Sequence, residues 1–120
     1  MLPPDLKAKA VASAPPAPLP NSYWVVPGRC LAGPYPRSID DTIVREKVNR
    51  LLDAGVTVFI DLTERGEVEP YDHLLLGKAR HVRMPIRDFD VPTETQMTRI
   101  LDEIDRVVFD GGCVDIHCFA

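Results

Sequence analysis

Three short apolar runs in this 120-residue chain each give way to residues able to do chemistry. After Val56-Thr57-Val58-Phe59-Ile60 come Asp61-Leu62-Thr63-Glu64-Arg65. After the alternating stretch 80–86 come Arg87-Asp88-Phe89-Asp90. After Cys113-Val114-Asp115-Ile116-His117 comes Cys118. If the runs are parallel strands, their carboxyl ends share one edge of a sheet, where ligands bind in open α/β folds. A thiol (Cys118), an acid (Asp88, with Asp90 as alternate) and a guanidinium (Arg65) would then meet. That set can attack phosphorus, protonate a leaving group and hold an anion.

The positioning elements can be read from periodicity. Val44, Val48, Leu51 and Leu52 recur on one face, so residues 41–54 read as a helix, with Asp40 and Asp41 at its positive end and Gly55 as its stop. Residues 56–60 read as a strand buried on both faces. Residues 93–110 read as a second helix. It opens on a Thr93-x-x-Gln96 capping box and carries a stripe of Met97, Ile100, Leu101, Ile104, Val107 and Val108. Tyr23–Val26 and 29–32 flank the Pro27-Gly28 turn as two short strands. A helical turn is expected around residues 73–78, and residues 113–117 form the last strand. The order strand–helix–strand–strand–helix–strand implies an α/β domain with a largely parallel sheet. His73 and His81 are assigned to the surface, and Cys30 and Cys113 to the core as small hydrophobes.

Composition narrows the class. Hydrophobic residues are 45% and charged residues 27%, as in globular domains. No apolar run nears the ~18 residues of a membrane span. The net charge of −4 argues against nucleic acid as partner. Six of the 12 prolines fall in the first 20 residues, so residues 1–21 read as a Pro/Ala-rich flexible tail and 22–120 as the domain. The tail has no basic segment leading an apolar core and does not read as a signal peptide. Three cysteines, an odd number at no zinc-ribbon spacing, point to reduced thiols in the cytoplasm.

Val114-Asp115-Ile116-His117-Cys118 resembles the strand and His-Cys that open the signature loop of cysteine-dependent protein phosphatases, closest to the atypical small dual-specificity type. Three further stretches agree in order: Pro27–Gly33 with the N-terminal hairpin, Leu62–Glu67 with the loop after an inner strand, and Pro85–Pro92 with the loop carrying the general acid. The likeness covers roughly residues 22–118. It implies a phosphotyrosine-phosphatase-like three-layer fold with a mainly parallel central sheet, lacking the C-terminal helices. It implies Cys118 as nucleophile through a cysteinyl-phosphate, Asp88 as general acid, and His117 either as an aid to the loop and thiol or as a satisfied structural histidine. Thr63, Glu64, Arg65, Phe89, Phe119 and Ala120 would border the substrate.

No cofactor or metal is implied, and the partner would be a phosphorylated protein (phosphotyrosine, with phosphoserine or phosphothreonine also possible substrates) or a small phosphomonoester. The family signature continues for five residues to an arginine, whereas this sequence ends at Ala120. The expectation is therefore that the 120-residue chain is inactive. Two other readings stay open: a non-catalytic phosphatase-like scaffold, and a rhodanese-like sulfur transferase.

Overall fold

Val58–Asp61 (β3) and Val114–Cys118 (β5) lie side by side in the middle of a five-stranded sheet. The computed structural model describes residues 15–87 and 91–118. The remaining strands are Tyr23–Val26 (β1), Cys30–Pro34 (β2) and Arg80–Arg83 (β4), and the spatial order is β1-β2-β5-β3-β4. Only the β1–β2 hairpin is antiparallel; β2, β5, β3 and β4 run parallel. Gly28 turns the hairpin with a φ of 72°.

Alternation along the strands divides the core in two. On one face Leu31, Phe59, Tyr35 and Tyr71 pack with Val48 and Leu51 of the helix Asp41–Asp53 (α1). Leu19, ahead of β1, is buried in the same cluster. The Asp40 carboxylate caps α1 by accepting from the Thr42 amide at 2.9 Å. On the other face Cys30, Val58, Ile60 and Val114 pack with Val107 and Ile104 of the helix Glu94–Phe109 (α2). Thr93 and Gln96 close the expected capping box, side chain to backbone in both directions, at 2.8 and 3.1 Å. One helix on each face gives the expected three layers.

The differences from expectation are local. β3 starts two residues later, because Val56 is held by the helix end through its amide on the Leu51 carbonyl. β4 ends at Arg83, although Met84 and Ile86 still donate amides to Asp61 and Leu62. The helical turn is a 3-10 turn at Asp72–Leu75, closed by Leu76 and Gly77, both at positive φ. The stripe on α2 is only partly covered. Ile100 and Val107 are buried, whereas Met97 and Leu101 are 40% and 52% exposed. The side of α2 that meets the sheet runs through Ile100, Glu103, Ile104 and Val107 instead, and the buried Glu103 is tied to Arg80 and Arg106.

Candidate active site

Cys118 ends the central strand, beside Pro34 of β2, at the carboxyl edge of the parallel strands. It is exposed, and with Ala32, Pro34, Leu62 and Ile116 it lines an open groove of about 460 Å³. Cys30 and Cys113 are buried toward the opposite end of β5, about 13 and 17 Å along the strand from Cys118 at the rise of a strand. Burial, reinforced by Asp115, pushes the Cys113 thiol up to about 11, and burial likewise raises Cys30. Both remain protonated thiols.

His117 precedes Cys118, so its side chain falls on the opposite face of the sheet. It is buried, with its Nδ1 3.0 Å from Asp115 Oδ2 and its Nε2 2.7 Å from the Tyr71 hydroxyl. The rings of Tyr35 and Phe59 meet it edge-on at 5.3 and 6.4 Å. Burial, with Asp61 and Asp115 nearby, raises the Tyr71 phenol far above its ordinary value, so it stays protonated.

The register sets Asp61 of β3 directly across from His117. Burial pushes this carboxyl up, but hydrogen bonds from His81 and from the Thr63 hydroxyl and amide outweigh it and leave Asp61 at about 2. Arg83 donates to the Thr63 carbonyl and hydroxyl at 2.9 and 3.0 Å and sits 3.7 Å from Asp61. His81 is therefore not the surface residue expected. The buried carboxylate holds its Nε2 at 2.9 Å, and its ring stands edge-on to Tyr71.

The expected site residues separate. Thr63 is buried and braces Asp61 and Arg83. Glu64 is exposed, its amide donating to Glu67 at 2.9 Å. Arg65 lines a different cavity, about 530 Å³, with Val68, Asp72, His81 and Arg83. Asp88, Phe89, Asp90, Phe119 and Ala120 lie outside the described residues. Among the described residues, no group of three or more His, Cys, Asp and Glu side chains is placed to hold a metal ion, and no helix is long and apolar enough to cross a membrane.

Asp61, Tyr71, Arg83 and Asp115 were not anticipated. One signal for Asp115 and His117 was available: both fall on the same face of a strand whose other residues are apolar.

A parallel sheet between two helical layers, with a cysteine at the carboxyl end of its middle strand behind a buried histidine, defines a phosphatase-like α/β domain. Residues 35–120 match the model of the Tc-R-P family, described as a polymorphic toxin system DSP-PTPase phosphatase, and the chain belongs to that family. Solved structures share the fold. Tk-PTP in its active form is 22% identical with a TM-score of 0.69, over 84% of this chain and 63% of its own. A DUF442 protein from Shewanella putrefaciens CN-32 is 20% identical with a TM-score of 0.65, over 83% and 62%. The kinase associated phosphatase is 17% identical with a TM-score of 0.64, over 76% and 56%. The chain thus spans about three fifths of the length of these structures.

Proposed function

We propose that the protein is part of a phosphomonoester hydrolase that works through a cysteinyl-phosphate on Cys118. The observation that carries this reading is the place of Cys118. It is the exposed thiol at the carboxyl end of the central parallel strand, in a chain of the DSP-PTPase family. The kinase associated phosphatase, which shares the fold, has a catalytic-site cysteine. Sulfur transfer of the rhodanese kind is set aside by the family match.

In the proposed reaction the Cys118 thiolate attacks phosphorus and the ester oxygen leaves. Asp88, in the segment after β4, gives that oxygen its proton. Water then attacks phosphorus and gives a proton to the Asp88 carboxylate, and the S–P bond breaks to release inorganic phosphate and the thiolate. The charge on the transferring phosphoryl oxygens needs amides and a guanidinium held in place, and the family signature supplies these after the cysteine. The substrate class is a phosphoprotein, with phosphotyrosine foremost, or a small phosphomonoester. A reducing compartment such as the cytoplasm would keep the thiol competent.

The test is hydrolysis of p-nitrophenyl phosphate, without added metal, by the chain extended through a Cys-x5-Arg loop and its helix. Turnover is expected and should vanish in Cys118→Ser. Full turnover in Cys118→Ser would refute the assignment.

A further inference from the structure

The central strand carries an arrangement that packing does not call for. Asp115 and His117 share a sheet face with Leu31 and Phe59 and are each 2% exposed, against a core that is otherwise apolar and aromatic. A buried carboxylate and imidazole cost several kcal/mol unless each is hydrogen-bonded. Here they bond to each other, and the far side of the ring meets the buried Tyr71 hydroxyl. The result is one unbroken chain, Asp115–His117–Tyr71, running under the residue that presents the thiol. The backbone joins it to the site: the His117 carbonyl accepts the Leu62 amide at 2.9 Å, and Leu62 and Cys118 line the same groove.

We propose that Asp115 is a positioning residue: through the Asp115–His117–Tyr71 chain it fixes the tautomer and orientation of His117 and so the reactivity of Cys118. The inference rests on Cys118 being the nucleophile. A carboxylate only accepts, so Asp115 selects the arrangement with a proton on Nδ1, which turns Nε2 toward the Tyr71 hydroxyl. The titratable and charged groups facing His117 are Asp115 on its own strand, Asp61 from β3, His81 and Arg83 from β4, Tyr71 before the 3-10 turn and Tyr35 after β2. From α1 the same core receives Val48 and Leu51. Asp61 is engaged by His81 and Thr63, which leaves Asp115 as the carboxylate bonded to His117.

The experiment uses the 120-residue chain. Nitrogen-15 spectra of the His117 ring read its tautomer, and mass-resolved alkylation by iodoacetamide reads Cys118 from pH 6 to 9. The native protein should show His117 carrying a proton at Nδ1. Protonation at Nε2 instead overturns the proposal without recourse to any variant. Asp115→Leu should move the proton to Nε2 and change the Cys118 alkylation rate at least threefold. Asp115→Asn keeps an acceptor and should retain the native tautomer, with a rate within twofold of native. An unchanged Cys118 profile in folded Asp115→Leu overturns the proposal. Neither readout needs phosphoryl transfer, so Cys118→Ser that still turns over ester refutes the nucleophile while leaving the tautomer result intact.

Discussion

His81 of β4 reaches diagonally across the register to Asp61 of β3, Nε2 to Oδ2 at 2.9 Å, while Arg83 stands directly opposite the same carboxylate. Asp61 is fully buried and ionised, and its hydrogen bonds set its folded value at about 2, below the ordinary 3.8. The folded form therefore binds its proton less readily than the unfolded chain. The stabilisation is complete above about pH 5 and is lost as the pH falls through 3.8 toward 2, a change on the order of 2 kcal/mol. Urea midpoints should fall steeply between pH 5 and 2. Asp61→Asn should flatten that limb and lower stability at pH 7 by about 1–3 kcal/mol, since the partners of the carboxylate lose its charge. Equal acid slopes in both proteins would contradict the assignment.

Helix α2 offers an internal contrast. Ile100 is buried against the sheet, and Leu101, its neighbour in sequence, is half exposed. Ile100→Ala should cost about 2–4 kcal/mol and Leu101→Ala less than about 1. Thr93→Ala, which removes one half of the capping box, should cost about 1 kcal/mol. Thermal unfolding of the three variants checks the order.

Gly112 links α2 to β5 where there is no room for a side chain. A Cβ there would lie 2.7 Å from the Thr57 hydroxyl and 2.9 Å from a Val107 methyl. Thr57 cannot yield easily, because its hydroxyl accepts the Cys113 amide and donates to the Cys113 carbonyl. Gly112→Ala should destabilise by about 1–3 kcal/mol. Gly28→Ala, at a positive φ but with open space around it, tests strain alone and should cost about 1 kcal/mol. Denaturant melts of the two side by side separate the effects.

Catalysis gives a third kind of check. In the chain extended through the signature loop, Asp88→Asn should slow hydrolysis of phenyl phosphate at least tenfold more than hydrolysis of p-nitrophenyl phosphate, since the poorer leaving group needs the proton more. Equal slowing of both would move the acid role to another residue, with Asp90 next to be tested.

Strand and helix types were legible because their signals are local. The β-branched run at 56–60, the capping box at Thr93 and the glycine at 55 act within a few residues of themselves. Strand order was not legible, since β5 inserts between β2 and β3 by long-range pairing. The candidate site was half readable. Cys118 announced itself through the resemblance of the residues around it. The Asp115–His117–Tyr71 chain did not, because Tyr71 sits in a polar loop and nothing local aims it at the sheet. His81 was misassigned for the same reason: its partner Asp61 comes from a neighbouring strand. Met97 and Leu101 show the limit of periodicity, which finds an apolar stripe without telling how wide a surface will receive it.

The middle place of β5 has a consequence for how the chain reaches this shape. The β1–β2 hairpin and the β3–β4 pair have no strand contact with each other except through β5, the last described strand in sequence. As a ribosome delivers the chain, two separate pieces of sheet emerge and wait, each with an unpaired edge. Closing the gap depends on contacts of high sequence separation, which makes assembly slow and leaves those edges open to wrong pairing in the interval. Cys118 thus arrives on the strand that joins the two pieces, so no partly assembled form presents it in its final setting.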